Sequence, residues 1–219
     1  MKRPIIIAIE GNIGTGKSTL LHNLEITTDS KIITCAEPID EWLKIKNGEG
    51  ETILKKFYDD PKKYSFSFQI LILKTLNELM SRLIHDNPEC EIILCERSIL
   101  SSHYVFTKML HHDGLMDEIE YQLYKDIFRG WCIDEIIPDK IIYLQASPEK
   151  CLDRIKKRQR EGEEHISLEY LQKCNDYYDE FLTSHIQDIP LLVMNVEEDT
   201  ETNGNWKTSL LTMFHSTSH

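Results

Sequence analysis

Residues 5–19 read Ile5-Ile6-Ile7-Ala8-Ile9-Glu10-Gly11-Asn12-Ile13-Gly14-Thr15-Gly16-Lys17-Ser18-Thr19, and this stretch decides the fold. The first five residues are apolar without alternation, the pattern of a strand covered on both faces. Gly11 to Ser18 then fits GxxxxGK[ST] without a mismatch, directly after the strand and at the start of a helical pattern. The glycines allow successive backbone N–H groups to turn toward phosphates, and the helix N-terminus adds positive potential. Lys17 is placed to reach the β- and γ-phosphates, and Ser18 to ligate Mg²⁺. Gly11 through Thr19 are therefore expected to bind a nucleoside triphosphate.

Outward from this loop, short continuous β-rich runs recur at Ile5–Ile9, Ile32–Thr34, Ile92–Cys95, Lys140–Leu144 and Leu191–Val196. Between them lie helical patterns at Lys17–Leu24, Pro61–His85, Ser98–His112, Asp117–Trp131, Pro148–Arg160 and Leu168–Ile186. Strands alternating with helices predict an α/β fold, a five-stranded parallel sheet flanked by helices with right-handed crossovers. With 219 residues and no linker or repeat, residues 1–219 are expected to form one domain. A tail from about residue 204 to 219 is expected to fray. Phe66–Ile84 is apolar on more than one face, which suits either a central helix or one shared with a second subunit.

Composition excludes some classes. Apolar residues make up 41% and charged residues 28%, with a formal net charge of −12. That balance argues against a nucleic-acid or anionic-membrane surface, both of which reward a basic face. The six cysteines (Cys35, Cys90, Cys95, Cys132, Cys151, Cys174) show neither CxxC pairing nor metal-like spacing, so reduced thiols in the cytoplasm are expected. No run approaches the roughly 18 apolar residues of a membrane span. The apolar start leads into a glycine loop, not a signal-peptide cleavage site.

Three charged features fall at predicted strand ends, where open α/β sheets bind ligands. The second strand leads into Glu37-Pro38-Ile39-Asp40-Glu41-Trp42, and Glu37 is a candidate general base. The third ends in Glu96-Arg97-Ser98, where a motor ATPase would show an Mg²⁺-holding aspartate. After the fourth comes a run from Arg154 to Glu164 in which Arg154 and Arg158 share a helix face and Arg160 follows. Phosphoryl transfer needs such cations on the equatorial oxygens. A GTPase would add a base-reading N/T-K-x-D motif, which the chain lacks.

In order along the chain stand G-N-I-G-T-G-K-S-T (11–19), E-P-I-x-x-W (37–42), F-x-F-Q (66–69), E-R-S (96–98), Y-L-Q-A-S-P-E-x-C (143–151) and R-I-x-x-R-x-R (154–160). On these motifs the sequence resembles the deoxyribonucleoside kinases of the deoxycytidine, deoxyguanosine, mitochondrial thymidine and insect multisubstrate types, from about residue 4 to about residue 200. The resemblance implies a P-loop kinase fold with an arginine-rich lid at about 154–165, ATP as donor, Mg²⁺ as cofactor, a deoxynucleoside as acceptor and a homodimer. It implies Glu37 as the base that deprotonates the 5′-hydroxyl, with Arg97 steadying that carboxylate and the transferring phosphoryl group. It gives Glu96, with Ser18, to the metal, and Arg154, Arg158 and Arg160 to the lid around ATP. Gln69 would pair with the base edge, Phe68 and Phe106 would wall the base, and Ile13, Ile39, Trp42 and Leu54 would line the pocket. Tyr58 and Glu163 would hold the sugar 3′-hydroxyl, with Tyr58 disfavouring a 2′-hydroxyl.

Two departures bear on specificity. Deoxycytidine and deoxyguanosine kinases carry an arginine eight residues after the phenylalanine matched by Phe68, paired with an aspartate six residues after the E-R-S glutamate. Here those positions are Leu76 and Ser102. Without the charged pair, room is left for a 5-methyl group, so thymidine and deoxycytidine are expected ahead of purines. His103 replaces an arginine common at its position, with no role assigned. A thymidylate-type nucleoside monophosphate kinase is the nearest alternative, and would need a basic group for the acceptor's own phosphate. A non-catalytic nucleotide-binding regulatory protein is the other, against which Lys17, Glu37 and Arg97 stand.

Overall fold

Strands β1 (Ile5–Glu10), β2 (Ile32–Cys35), β3 (Ile92–Glu96), β4 (Lys140–Gln145) and β5 (Leu191–Asn195) form a sheet ordered β2-β3-β1-β4-β5, with β1 at its centre and every neighbouring pair parallel. This computed structural model describes residues 3–25, 31–131, 135–160 and 162–198. Residues of successive parity separate into two cores. Ile6, Ala8, Ile93, Cys95, Ile141 and Tyr143 face one side, with α4 (Pro61–Asp86), α7 (Glu118–Trp131) and the later turns of α9 (Leu168–Ser184). Ile7, Ile9, Leu94, Ile142 and Leu144 face the other, with α1 (Lys17–Glu25) and α8 (Pro148–Arg158). Two covered faces explain the unbroken apolar runs, and each fully buried Ile or Leu contributes about 1.5–3 kcal/mol.

The parallel order brings the ends of β1 and β3 side by side, with Ile9 in register with Glu96. The phosphate loop and the Glu96-Arg97 pair therefore meet at one sheet edge. Strand boundaries depart from the sequence reading by a residue. The helices depart more. The connection after β2, where the sequence shows no helical pattern, contains α2 (Ile39–Lys44) and α3 (Ile53–Asp59). They are six and seven residues long, too short for a helical period to show, and a Lys46–Thr52 bridge closes the turn between them. Trp42, Leu54, Phe57, Phe68 and Leu110 form a third small core that holds this pair to α4.

The helix expected over Ser98–His112 is interrupted. It runs as α5 (Ile99–Ser101), a π-helical segment Ser102–Thr107, and α6 (Lys108–His112). Helix α8 ends at Arg158, not Arg160, because Gln159 takes the left-handed conformation at φ 50°. The long α4 buries Ser65, Phe68, Gln69, Leu73, Leu76 and Met80, so one side of it is core. No described helix is long and apolar enough to cross a membrane. Cys132, Glu161 and the tail from 204 lie outside the described residues.

Candidate active site

The loop after β1 is clamped from two sides. Gly14 adopts φ 87°, and a Cβ there would stand 2.5 Å from the carbonyl oxygen of Cys151 in the first turn of α8. Only glycine allows that approach. Asn12 donates from Nδ2 to the Leu171 carbonyl at 2.8 Å and to Asn175 Oδ1 at 2.6 Å, while its Oδ1 accepts from the Ile13 N–H at 2.8 Å. Lys17 Nζ lies back across the loop and donates to the carbonyls of Gly11 (3.1 Å) and Asn12 (2.7 Å). Burial, then the neighbouring Arg97 charge, lower the Lys17 ammonium from its usual range. Gly14 to Thr19 line a groove with Leu144, Arg154, Arg158, Arg160, Met194 and Val196. The sequence reading also gave Gly11, Asn12 and Ile13 to ATP, but these do not line that groove. The Asn12 side chain is spent on α9, Gly11 lies against the Leu144 carbonyl, and Ile13 faces the cleft on the other side of the loop.

That cleft, open to solvent at its mouth, receives every residue the sequence reading gave to the acceptor. At its inner end Phe68 sits edge-on to Trp42 (5.5 Å between centroids) and tilted against Phe57 (4.9 Å). Trp42 is fixed by donating Nε1–H to Thr75 Oγ1 at 2.9 Å. Gln69 is buried, and its Oε1 accepts from Thr107 Oγ1 at 3.1 Å and from Ser102 Oγ at 3.5 Å. The amide N–H groups are what Gln69 then offers the cleft. Thr107 and Ser102 both belong to the π-helical segment, so its altered winding sets the orientation of Gln69. Leu76 and Ser102 are buried at the same end, and Ile13, Ile39 and Leu54 complete the apolar wall.

At the charged end Glu37 meets Arg97, Oε1 to Nε at 3.2 Å, with both side chains largely buried. Burial pushes the Glu37 carboxyl up; the Arg97 charge opposes it without cancelling it. Arg97 itself is held at φ 66°, a left-handed conformation unusual for a long side chain. Its guanidinium also lies over the Phe106 ring at 4.6 Å. Beside it, Ser18 Oγ donates to Glu96 Oε1 at 2.9 Å, bringing two side-chain oxygens together at the mouth of the groove.

Between the ends stand Tyr58 and Glu163. Glu163 accepts a fork from Arg158, at 2.8 Å from Nε and 2.7 Å from Nη2, and a longer contact from Arg160 Nη1 at 3.4 Å. Arg154 is placed differently, donating to the Val196 carbonyl at 2.8 Å on the outer side of the groove.

The deoxynucleoside kinase family model matches residues 7–217. The chain belongs to that family. Its activity is ATP-dependent phosphoryl transfer to a deoxynucleoside. Among curated relatives it is 32% identical to a mitochondrial deoxyguanosine kinase of Xenopus laevis, over 90% of this chain and 83% of the relative. It is 33% identical to deoxycytidine kinase 2 of Gallus gallus, over 90% and 84%. A probable deoxycytidine kinase of fowlpox virus is 32% identical over 94% and 84%. The sequence reading of this kinase missed Phe57, Ile72, Ser98 and Tyr170 in the cleft, and Glu10 and Tyr178 behind it. Phe57 and Ile72 carry no signal beyond ordinary core residues. Glu10 did, as a carboxylate closing an apolar strand immediately before the phosphate loop.

Proposed function

We propose that the acceptor is a pyrimidine deoxynucleoside, thymidine or deoxycytidine ahead of purines, phosphorylated at its 5′-hydroxyl with Glu37 as general base. One observation carries this reading. The Glu37–Arg97 pair lies between the phosphate loop and an aromatic pocket that ends at Gln69. A nucleoside laid between those ends places its base on Phe68 and Phe106, its base edge at Gln69 and its 5′-hydroxyl at Glu37. Glu37 then takes the hydroxyl proton as the oxygen attacks, a task suited by a carboxyl raised by burial. Arg97 holds that carboxylate and faces the charge on the transferring group, while Lys17, Arg154, Arg158 and Arg160 face the donor phosphates. Tyr58 and Glu163, both lining the cleft, receive the sugar 3′-hydroxyl, and Tyr58 disfavours a 2′-hydroxyl.

Ser18 and Glu96 fit a Mg²⁺ ion: both offer oxygen, and they already touch. When bound, Mg²⁺ supplies positive charge against the phosphate oxygens. Leu76 and Ser102, uncharged at the inner end, support the pyrimidine preference by leaving room for a 5-methyl group.

We further propose one kinase domain acting as a homodimer through the outer face of α7, where Ile119 and Leu123, four residues apart, are 73% and 52% exposed. Leu123→Glu, followed by sedimentation, should give monomers; an unchanged species would remove this interface. The five free, buried thiols among the described residues support a cytosolic location, which cell fractionation tests. The acceptor assignment is tested by assaying the purified protein with ATP and Mg²⁺ against the four deoxynucleosides and thymidine monophosphate. Thymidine and deoxycytidine should lead. A preference for the monophosphate would overturn the acceptor class, and a preference for deoxyguanosine would overturn the pocket reading.

A further inference from the structure

We propose that Glu10 and Tyr178 are positioning residues for phosphoryl transfer: together they lock the guanidinium of Arg97 in the orientation that meets Glu37. The proposal rests on the assignment of Arg97 to the reaction. Glu10 is the last residue of β1 and is fully buried, although nothing in the acceptor or donor reading requires it. A carboxylate is kept in such a place only where donors hold it. Ser98 Oγ donates to its Oε1 at 2.6 Å, and Tyr178 OH donates to its Oε2 at 3.1 Å. The one proton of that hydroxyl is thus spent on the Glu10 carboxylate, and its oxygen accepts from Arg97 Nη1 at 2.6 Å, since a guanidinium can only donate.

The chain of contacts therefore runs Arg97 to Tyr178 to Glu10. It has a purpose in the backbone. Arg97 stands at φ 66°, where a long side chain is disfavoured and persists only if its surroundings over-determine it. Its N–H donates to the Ile9 carbonyl at 3.0 Å, and Nη1 also donates to the Gly11 carbonyl at 3.0 Å. With Nη1 held by the Gly11 carbonyl and Tyr178, Nε is presented to Glu37 at 3.2 Å. Tyr178 comes from α9, 168 residues from Glu10, so α9 is the element that fixes the reacting edge. Ser98 ties the same carboxylate to the residue after Arg97, closing the frame.

The test is a double-mutant cycle on kcat, normalised to the number of nucleoside-binding sites so that misfolded protein does not count. Tyr178→Phe keeps the buried ring and removes only the hydroxyl; Glu10→Gln keeps the shape and removes the charge. Each should lower kcat roughly 10–100-fold while leaving nucleoside affinity unchanged. In an Arg97→Lys background, which has no fork to orient, the same changes should have little further effect. A role in packing alone gives the same factor in both backgrounds, and that result would overturn the proposal, as would normal kcat in Tyr178→Phe and Glu10→Gln. If Arg97→Lys alone turns over normally, the assignment of Arg97 is wrong and the proposal goes with it. If Arg97→Lys is crippled and the other two are not, only the positioning role is wrong.

Discussion

The donor groove and the acceptor cleft share Gly14, Lys17, Glu96, Arg158 and Arg160, yet they are built by different means. The groove follows one contiguous stretch, Gly14–Thr19, whose backbone N–H groups are the proposed phosphate donors, with arginines from α8 and its C-terminal connection around it. The cleft gathers side chains from α2, α3, α4, β3, the π-helical segment and the lid, and its polar groups are already hydrogen-bonded to second partners. A ligand seen through its phosphates needs only a loop. One seen through a base and a sugar needs many elements, each fixed by a neighbour.

This contrast breaks first at Lys17. Lys17→Ala should lower kcat by at least about 10²–10³-fold, the scale for losing a charge-stabilising donor, while nucleoside binding measured by calorimetry persists. Equal loss of nucleoside binding would mean that the two regions do not work separately. Next comes the loop backbone. Gly14→Ala adds a Cβ 2.5 Å from the Cys151 carbonyl to a strained φ, whereas at Gly16 a Cβ meets nothing within 4 Å. Gly14→Ala should therefore lose about 2–4 kcal/mol in denaturant unfolding and Gly16→Ala only about 1–2 kcal/mol. Equal losses would show that the α8 contact does not matter.

On the acceptor side, Leu76→Arg combined with Ser102→Asp should cut kcat/KM for thymidine at least about tenfold relative to deoxycytidine, since the charged pair fills the space left for a 5-methyl group. An unchanged ratio would move the specificity away from this end of the cleft. The smallest effect lies within the π-helical segment. His103 stacks on Phe128 at 4.0 Å, and burial lowers its pKa from 6.5 to about 4. Between those values the unfolded chain takes up a proton that the folded chain refuses, so stability falls as pH drops through the window. His103→Phe should flatten that fall by on the order of 1 kcal/mol, allowing for a partly exposed ring, in melts at pH 7 and pH 4.5.

The same contrast explains what the sequence disclosed. The phosphate loop was legible because its motif is local: it is spelled by nine consecutive residues, of which Gly14–Thr19 line the groove. The five strands were legible because two covered faces leave an unbroken apolar run. The cleft was legible only through motifs taken in order, and partly. Phe57 and Tyr170 enter it from α3 and α9, and no spacing announces that they converge. Helices α2 and α3 were too short for a period, and the π turn at Ser102–Thr107 shifts hydrogen bonds without changing composition. Glu10 and Tyr178 meet only after folding has brought together residues 168 apart.

In the proposed reaction Glu37, paired with Arg97 beside the phosphate loop, takes the proton from the attacking hydroxyl. The most direct measurement is kcat for Glu37→Gln alongside thymidine affinity. A loss of roughly 10²–10⁴-fold in kcat, with thymidine still bound, is the predicted result. Turnover near that of the unaltered protein would contradict it.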